Sequence, residues 1–199
     1  MSLSMPASAA NLGAQPCVFL DRDGTLIVER HYLGDPDGVE LENGAAQGLR
    51  QIQALGYMLI VVSNQSGIGR GLLTEAQVAA VNARAEALLH EEGVEVRAWY
   101  HCPHTSAKAC GCRKPAPGMI NSARSDHAID MSRSLVVGDK DIDLVLSRSA
   151  GLQGHLVRTG YGTQHEYWAM ASGFEVHADL SALAHRLLVV AGKVEVIAR

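Results

Sequence analysis

Asp21 and Asp23 stand two residues apart, directly after the apolar run Cys17-Val18-Phe19-Leu20, and Gly24 follows at once. The run reads as a buried strand, so both carboxylates emerge at its carboxyl end, with a turn to free them from the sheet. Open α/β sheets bind ligands at that edge. A second chemical cluster lies far along the chain. Cys102, His104, Cys110 and Cys112 supply three thiols and an imidazole within one short segment, a donor set for tetrahedral Zn²⁺. His101 adjoins Cys102 as another candidate, but neighbours in extended chain point opposite ways. Clustered cysteines with an interleaved histidine indicate metal ligation in a reducing compartment rather than disulfides. With no open coordination position the zinc would be structural, bracing the loop that carries Arg113 and Lys114. The segment after the second apolar run, Ser63 to Gly71, offers Asn64, Gln65 and Arg70. Amide, hydroxyl and guanidinium donors suit sugar hydroxyls and phosphate.

These residues need elements to hold them. Strands are predicted at 17–21, 58–62, 96–100, 135–137 and 155–157. Met58 to Val62 is apolar throughout, as in a strand buried on both faces. Ala45, Leu49, Ile52 and Leu55 recur at a helical period, and Gly56 stops them. Thr74 opens the next helix, with Gln77 completing a capping box. Val78, Val81, Ala85, Leu88 and Leu89 form its buried stripe, up to Gly93. Further helices are predicted at 118–127, 142–150 and 180–190, and loops at 22–44, 63–71 and 102–118. Alternating strands and helices imply parallel pairing with right-handed crossovers. The expected fold is α/β, a three-layer Rossmann-like arrangement with a parallel sheet and no separate cap domain. Residues 1–15 read as a flexible lead, and 16–199 as a single domain with a zinc-binding loop at 102–112.

The run Asp21-Arg22-Asp23-Gly24-Thr25-Leu26 after a strand resembles the nucleophile motif of the haloacid dehalogenase superfamily of phosphotransferases. Later segments narrow the resemblance, over about residues 17–160, to its heptose 1,7-bisphosphate phosphatases and the related histidinol-phosphate phosphatases. Asn64-Gln65-Ser66-Gly67-Ile68-Gly69-Arg70-Gly71 is similar to the Asn-Gln-Ser-Gly-Ile-x-Arg-Gly run of the heptose enzymes. Tyr32-Leu33-x-Asp35-Pro36 and Lys114-Pro115-x-Pro117-Gly118-Met119 also look heptose-like. The Cys-x-His…Cys-x-Cys pattern of both families selects His104. The resemblance implies that Asp21 is a nucleophile forming an aspartyl-phosphate and Asp23 the general acid and base. Ser63 would bind phosphoryl oxygens and Lys114 would neutralise charge. Mg²⁺ would be held by Asp21, Asp139 and the Asp23 backbone carbonyl, with Asp143 assisting or supporting. Arg70 and Arg113 would contact substrate phosphate or sugar, while Asn64 and Gln65 would bind substrate or shape the loop. The implied reaction removes the 7-phosphate of D-glycero-D-manno-heptose 1,7-bisphosphate, in ADP-heptose and lipopolysaccharide core biosynthesis. The alternative is histidinol-phosphate hydrolysis in histidine biosynthesis.

Composition agrees with a small-molecule enzyme. The 199 residues allow one full core, and 47% hydrophobic content with a net charge of −4 argues against a polybasic nucleic-acid binder. No apolar run reaches the roughly 18 residues of a membrane span. The amino-terminal stretch lacks the charged start and apolar core of a secretory signal, and the clustered cysteines of a reducing compartment lead to the expectation of a cytoplasmic location. A monomer is the default for want of an evident apolar interface.

Overall fold

The computed structural model describes residues 13–108 and 110–193. Of the expected lead, residues 1–12 lie outside the described residues, as do 109 in the cysteine loop and 194–199. Gln15, assigned to the lead, is tied down: its amide donates to Ala128 O at 3.0 Å and its carbonyl accepts from Asp130 N at 2.8 Å.

Six parallel strands form one sheet in the order β3-β2-β1-β4-β5-β6. They are β1 (Cys17–Leu20), β2 (Met58–Asn64), β3 (Ala98–Cys102), β4 (Leu135–Gly138), β5 (Gln153–Val157) and β6 (Glu175–His177). The helices are α1 (Ala45–Ala54), α2 (Ser66–Gly69), α3 (Glu75–Glu91), α4 (Gly118–Asp126), α5 (Asp141–Ser149), α6 (Gly162–Ala171) and α7 (Leu180–Val190). Alternate residues of the central strands enter two cores, which is why their sequences are apolar without interruption. Val18, Leu20, Leu59, Val61 and Val137 meet α1, α3 and α7. Phe19, Ile60, Val62 and Val136 meet α4 and Leu146 of α5. Leu144, Leu156 and Ala169 extend that second layer under α6. The result is the expected three-layer parallel α/β fold.

The chain builds β1, β2 and β3 outward on one side, then crosses to place β4 on the other side of β1. That reversal opens a crevice at the carboxyl ends of the central strands. Register sets what faces it. Leu20 pairs with Val61 on one side and Val137 on the other. Asp21 therefore emerges one residue later, and Ser63 and Asp139 two residues later, at one sheet edge. The capping box of α3 is formed: Thr74 Oγ1 accepts from Gln77 N at 3.2 Å and Gln77 Oε1 accepts from Thr74 N at 2.9 Å.

Four readings change. The segment after Ser63 is not all loop; Ser66–Gly69 makes one helical turn. The strand predicted at 96–100 lies two residues later, because Val94 and Val96 pack as core residues ahead of the ladder. α6 and β6 were not foreseen. Only Gly162 and Ala169 of α6 are buried, so no apolar period marks it. β6 has three residues at a sheet edge, too short for an alternating pattern.

Candidate active site

Lys114 is the hub of the sheet-edge cluster. Its side chain is buried, and Nζ lies 2.7 Å from Asp21 Oδ1 and 2.7 Å from Asp143 Oδ1. An ammonium buried to this degree requires such partners. Burial alone would lower the Lys114 pKa, but Asp143 and Asp21 hold it above the ordinary lysine value. Burial would likewise raise Asp21, yet Lys114 and then Lys140 bring its carboxyl below the usual range. Asp143 is deeper, and burial wins there, pushing it up to about 6. Asp139 has no ammonium in hydrogen-bonding contact; burial, followed by the Asp21 charge, pushes it up to about 8.

Asp21, Asp139 and Asp143 each present a carboxylate oxygen within 4.8 Å of the others. Asp139 Oδ1 is buried without a hydrogen-bond partner. Hard oxygen donors crowded in this way fit a cation such as Mg²⁺. Asp139 Oδ2 accepts from Tyr161 N at 2.8 Å. Two left-handed glycines make room for that carboxylate. A Cβ on Gly24 (φ +84°) or on Gly160 (φ +54°) would sit 2.4 Å from Asp139 Oδ2. No side chain fits at either position.

The loops that carry these groups are tied to one another. The Asn64 amide clamps the Lys114 backbone, accepting from its N at 3.0 Å and donating to its O at 3.2 Å. Gln65 Nε2 donates to Asp23 Oδ2 and to Ser63 Oγ, both at 2.8 Å. Thr159 Oγ1 donates to Gly24 O at 2.7 Å. Asp23, Asn64, Gln65 and Ser66 line a cleft of about 280 Å³ with Lys140 and Tyr161. Glu29, His31 and Tyr32 form its outer wall. His31 (φ +44°) and Tyr32 (φ +54°) are the non-glycine left-handed residues among those described. Arg70 stands exposed at the end of α2 and is not part of that wall. Arg113 turns back to the cysteine loop, where Nη1 donates to His104 O at 3.1 Å. A larger groove of about 700 Å³ lies at the amino ends of the strands, by Tyr57, Met58 and Arg97. None of Asp21, Asp23, Ser63, Lys114 and Asp139 lines it, whereas Asp23, Gln65 and Lys140 line the smaller cleft.

Cys102, His104, Cys110 and Cys112 converge. Cys112 Sγ lies 3.1 Å from Cys102 Sγ, 3.6 Å from Cys110 Sγ and 3.4 Å from His104 Nδ1. Cys102 Sγ lies 3.7 Å from Cys110 Sγ and 3.6 Å from His104 Nδ1. Zn–S bonds of about 2.3 Å in a tetrahedron give edges of about 3.8 Å, so the four donors fit Zn²⁺ with small adjustment. His101, the rejected alternative, instead meets Glu75 Oε2 at 2.7 Å.

The Thr159–Tyr161 turn walls the site, although the sequence favours ordinary packing for Tyr161; Gly160, just after a strand, was the signal for the turn. The sequence leaves Lys140 open between the metal shell and water. Its Nζ lies 3.5 Å from Asp139, 3.4 Å from Glu29 and 4.8 Å from the centre of the Tyr161 ring. Trp168 stacks on Phe174 at 6.0 Å and is a packing residue.

Comparison with known proteins places this geometry. Residues 17–146 match the family model for polynucleotide kinase 3 phosphatase, and residues 111–183 match the HAD-hydrolase-like model. The D-glycero-beta-D-manno-heptose-1,7-bisphosphate 7-phosphatase of Salmonella typhi is 40% identical, over 73% of this chain and 81% of its own length. The D-glycero-alpha-D-manno-heptose-1,7-bisphosphate 7-phosphatase of Photorhabdus laumondii is 39% identical, over 73% of this chain and 84% of its own. Among solved structures, the D,D-heptose 1,7-bisphosphate phosphatase of B. bronchiseptica, complexed with magnesium and phosphate, superposes with a TM-score of 0.79. It is 30% identical, covering 88% of this chain and 99% of that one. The chain belongs to the haloacid dehalogenase-like (HAD) phosphatases, in the group that contains the heptose bisphosphate 7-phosphatases.

Proposed function

We propose that this phosphatase removes the 7-phosphate of D-glycero-D-manno-heptose 1,7-bisphosphate through an aspartyl-phosphate on Asp21. The contact of Lys114 Nζ with Asp21 Oδ1 at 2.7 Å carries the chemical half of this reading. A buried carboxylate kept ionised by a fixed ammonium is a nucleophile that an incoming phosphate dianion does not simply repel. Asp21 attacks phosphorus in line with the leaving alkoxide. Ser63 and Lys114 hold the non-bridging oxygens as charge builds on them. Asp23 donates a proton to the leaving sugar oxygen, then takes one from the water that cleaves the acyl phosphate. Mg²⁺ bound by Asp21, Asp139 and the Asp23 carbonyl would screen nucleophile from phosphate, and Asp143 would support it through Lys114.

The substrate half rests on the heptose-named relatives and on the Asn64–Gly71 run. Arg70 and Arg113 are the proposed contacts for the sugar or its second phosphate. Asn64 and Gln65 serve by shaping the cleft as well as lining it. Zn²⁺ in the Cys102, His104, Cys110 and Cys112 site would be structural and would brace Arg113 and Lys114. One domain carries the reaction without a cap, as a monomer in the cytoplasm, in the route to ADP-heptose and lipopolysaccharide core.

The test is Mg²⁺-dependent phosphate release from heptose 1,7-bisphosphate and histidinol phosphate, compared as kcat/KM. The bisphosphate should win by at least about tenfold, the scale set by one lost phosphate contact. A preference for histidinol phosphate would overturn the substrate while leaving the chemistry.

A further inference from the structure

We propose that Arg22 is a positioning residue for the proton transfer at the leaving oxygen, acting through Asp23. The inference rests on the reading of Asp23 as the general acid. A long cationic side chain at a sheet edge ordinarily reaches water, yet Arg22 is 1% exposed. Its guanidinium is turned onto its neighbour. Nε donates to Asp23 Oδ1 at 3.1 Å, and Nη2 donates to Oδ1 at 2.7 Å and Oδ2 at 2.8 Å. Nη1 donates to Asn82 Oδ1, on α3, at 2.9 Å. Gln65 Nε2 completes the set on Oδ2 at 2.8 Å.

A carboxylate offers about four lone-pair sites, and these four contacts occupy them. The leaving oxygen can reach the Asp23 carboxyl only when one donor withdraws. The donors differ in freedom. The Arg22 fork is planar, charged and fixed from behind by Asn82. The Gln65 amide is neutral and keeps a second acceptor, Ser63 Oγ, at 2.8 Å. Gln65 is the donor that yields as the leaving oxygen enters. Arg22 is the one that stays, holding the carboxylate in a single rotamer against the cleft.

The test uses leaving-group dependence. A residue that acts through the general acid matters for a sugar alkoxide, which must be protonated to leave. It matters little for p-nitrophenolate, which departs without a proton. The full-length, metal-loaded enzyme is assayed on heptose 1,7-bisphosphate and on p-nitrophenyl phosphate, reading kcat/KM, which reports steps up to the phosphoenzyme. General acid catalysis is worth roughly 10²–10⁴-fold. Asp23→Asn should therefore lose about 10²-fold or more on the sugar ester and less than about tenfold on the aryl ester. Arg22→Met should follow the same pattern, with a loss of about tenfold or more on the sugar ester and within about threefold on the aryl ester. Asn82→Ala, on a partly exposed helix face, should show the pattern at smaller size and guards against an Arg22 variant that fails to fold. Equal losses on both esters in Arg22→Met and Asn82→Ala, with Asp23→Asn still discriminating, overturn the role of Arg22 and leave that of Asp23. Equal losses in Asp23→Asn overturn the general-acid reading itself, and the Arg22 role with it.

Discussion

Replacing Lys114 by Met separates charge compensation from catalysis. The side chain is 2% exposed and bridges two carboxylates, Asp21 and Asp143, at 2.7 Å each. Met has similar length and no charge, so packing changes little. What changes is that two buried acids lose their shared cation. Removing one member of a buried ionic set costs about 3–5 kcal/mol, mostly the penalty of the charge left behind. Lys114→Met should therefore lose about 3–5 kcal/mol in urea unfolding at neutral pH without added Mg²⁺, as well as phosphatase activity. The origin of the loss is tested by Asp143→Asn in the same background. The amide keeps the shape and removes one stranded charge. The double variant should be more stable than the sum of the single costs allows, by about 1–3 kcal/mol of coupling. A loss below about 1 kcal/mol in Lys114→Met, or additive costs in the double variant, would refute the picture of Lys114 as the charge that permits the acid cluster to be buried.

Two further outcomes follow from other parts of the molecule. Cys110→Ser, or chelation of zinc from the loop, should lower the melting temperature and phosphatase activity together, because metal binding energy is folding energy for such a loop. Metal analysis finding no zinc in gently purified protein would count against it. In β5, burial lowers the His155 imidazole to about 4 in the folded chain, against about 6.5 when unfolded. The unfolded chain binds more protons below about pH 6.5, so stability should fall as pH drops from there towards 4, by up to about 3 kcal/mol. His155→Phe should flatten that slope in urea titrations across the window. An unchanged slope would show that the acid sensitivity lies elsewhere.

The sequence shows which residues gather at the site more clearly than the elements that frame it. Asp21, Asp23, Ser63, Lys114 and Asp139 each follow a strand or sit in a motif, and parallel register at β1 gathers the strand-end residues without further information. The cysteine donors are legible because their types admit few other uses at that density. What stayed hidden were contacts between loops. Nothing in Asn64 or Gln65 says that their amides point to the Lys114 backbone and to Asp23 rather than to substrate. Nothing in Arg22 says that it is buried, since an arginine beside two acids reads equally well as a solvated charge. α6 and β6 were hidden for a different reason. One contributes little buried surface and the other is held by its neighbour β5, so tertiary packing rather than local pattern selects them.

Those loop contacts explain how a site without a lid can be precise. Lids exclude water and complete a constellation by closing. Here long-range hydrogen bonds tie the loops that carry Asp21, Lys114 and Asp139 to one another without a closing element. Asn64 fixes the backbone that delivers Lys114 from fifty residues away. Thr159 and Tyr161 bind Gly24 and Asp139 across the sheet edge. Arg113 fastens the same lysine loop to His104. Each tie joins a chemical residue's loop to a different strand end, so a loosened loop is expressed as misplacement at the phosphate. Displacements of about 1 Å at a reacting group can cost about 10²-fold in rate. Selectivity in such an enzyme belongs to the rigidity of short segments, and a loop substitution far from phosphorus is expected to lower kcat before it raises KM.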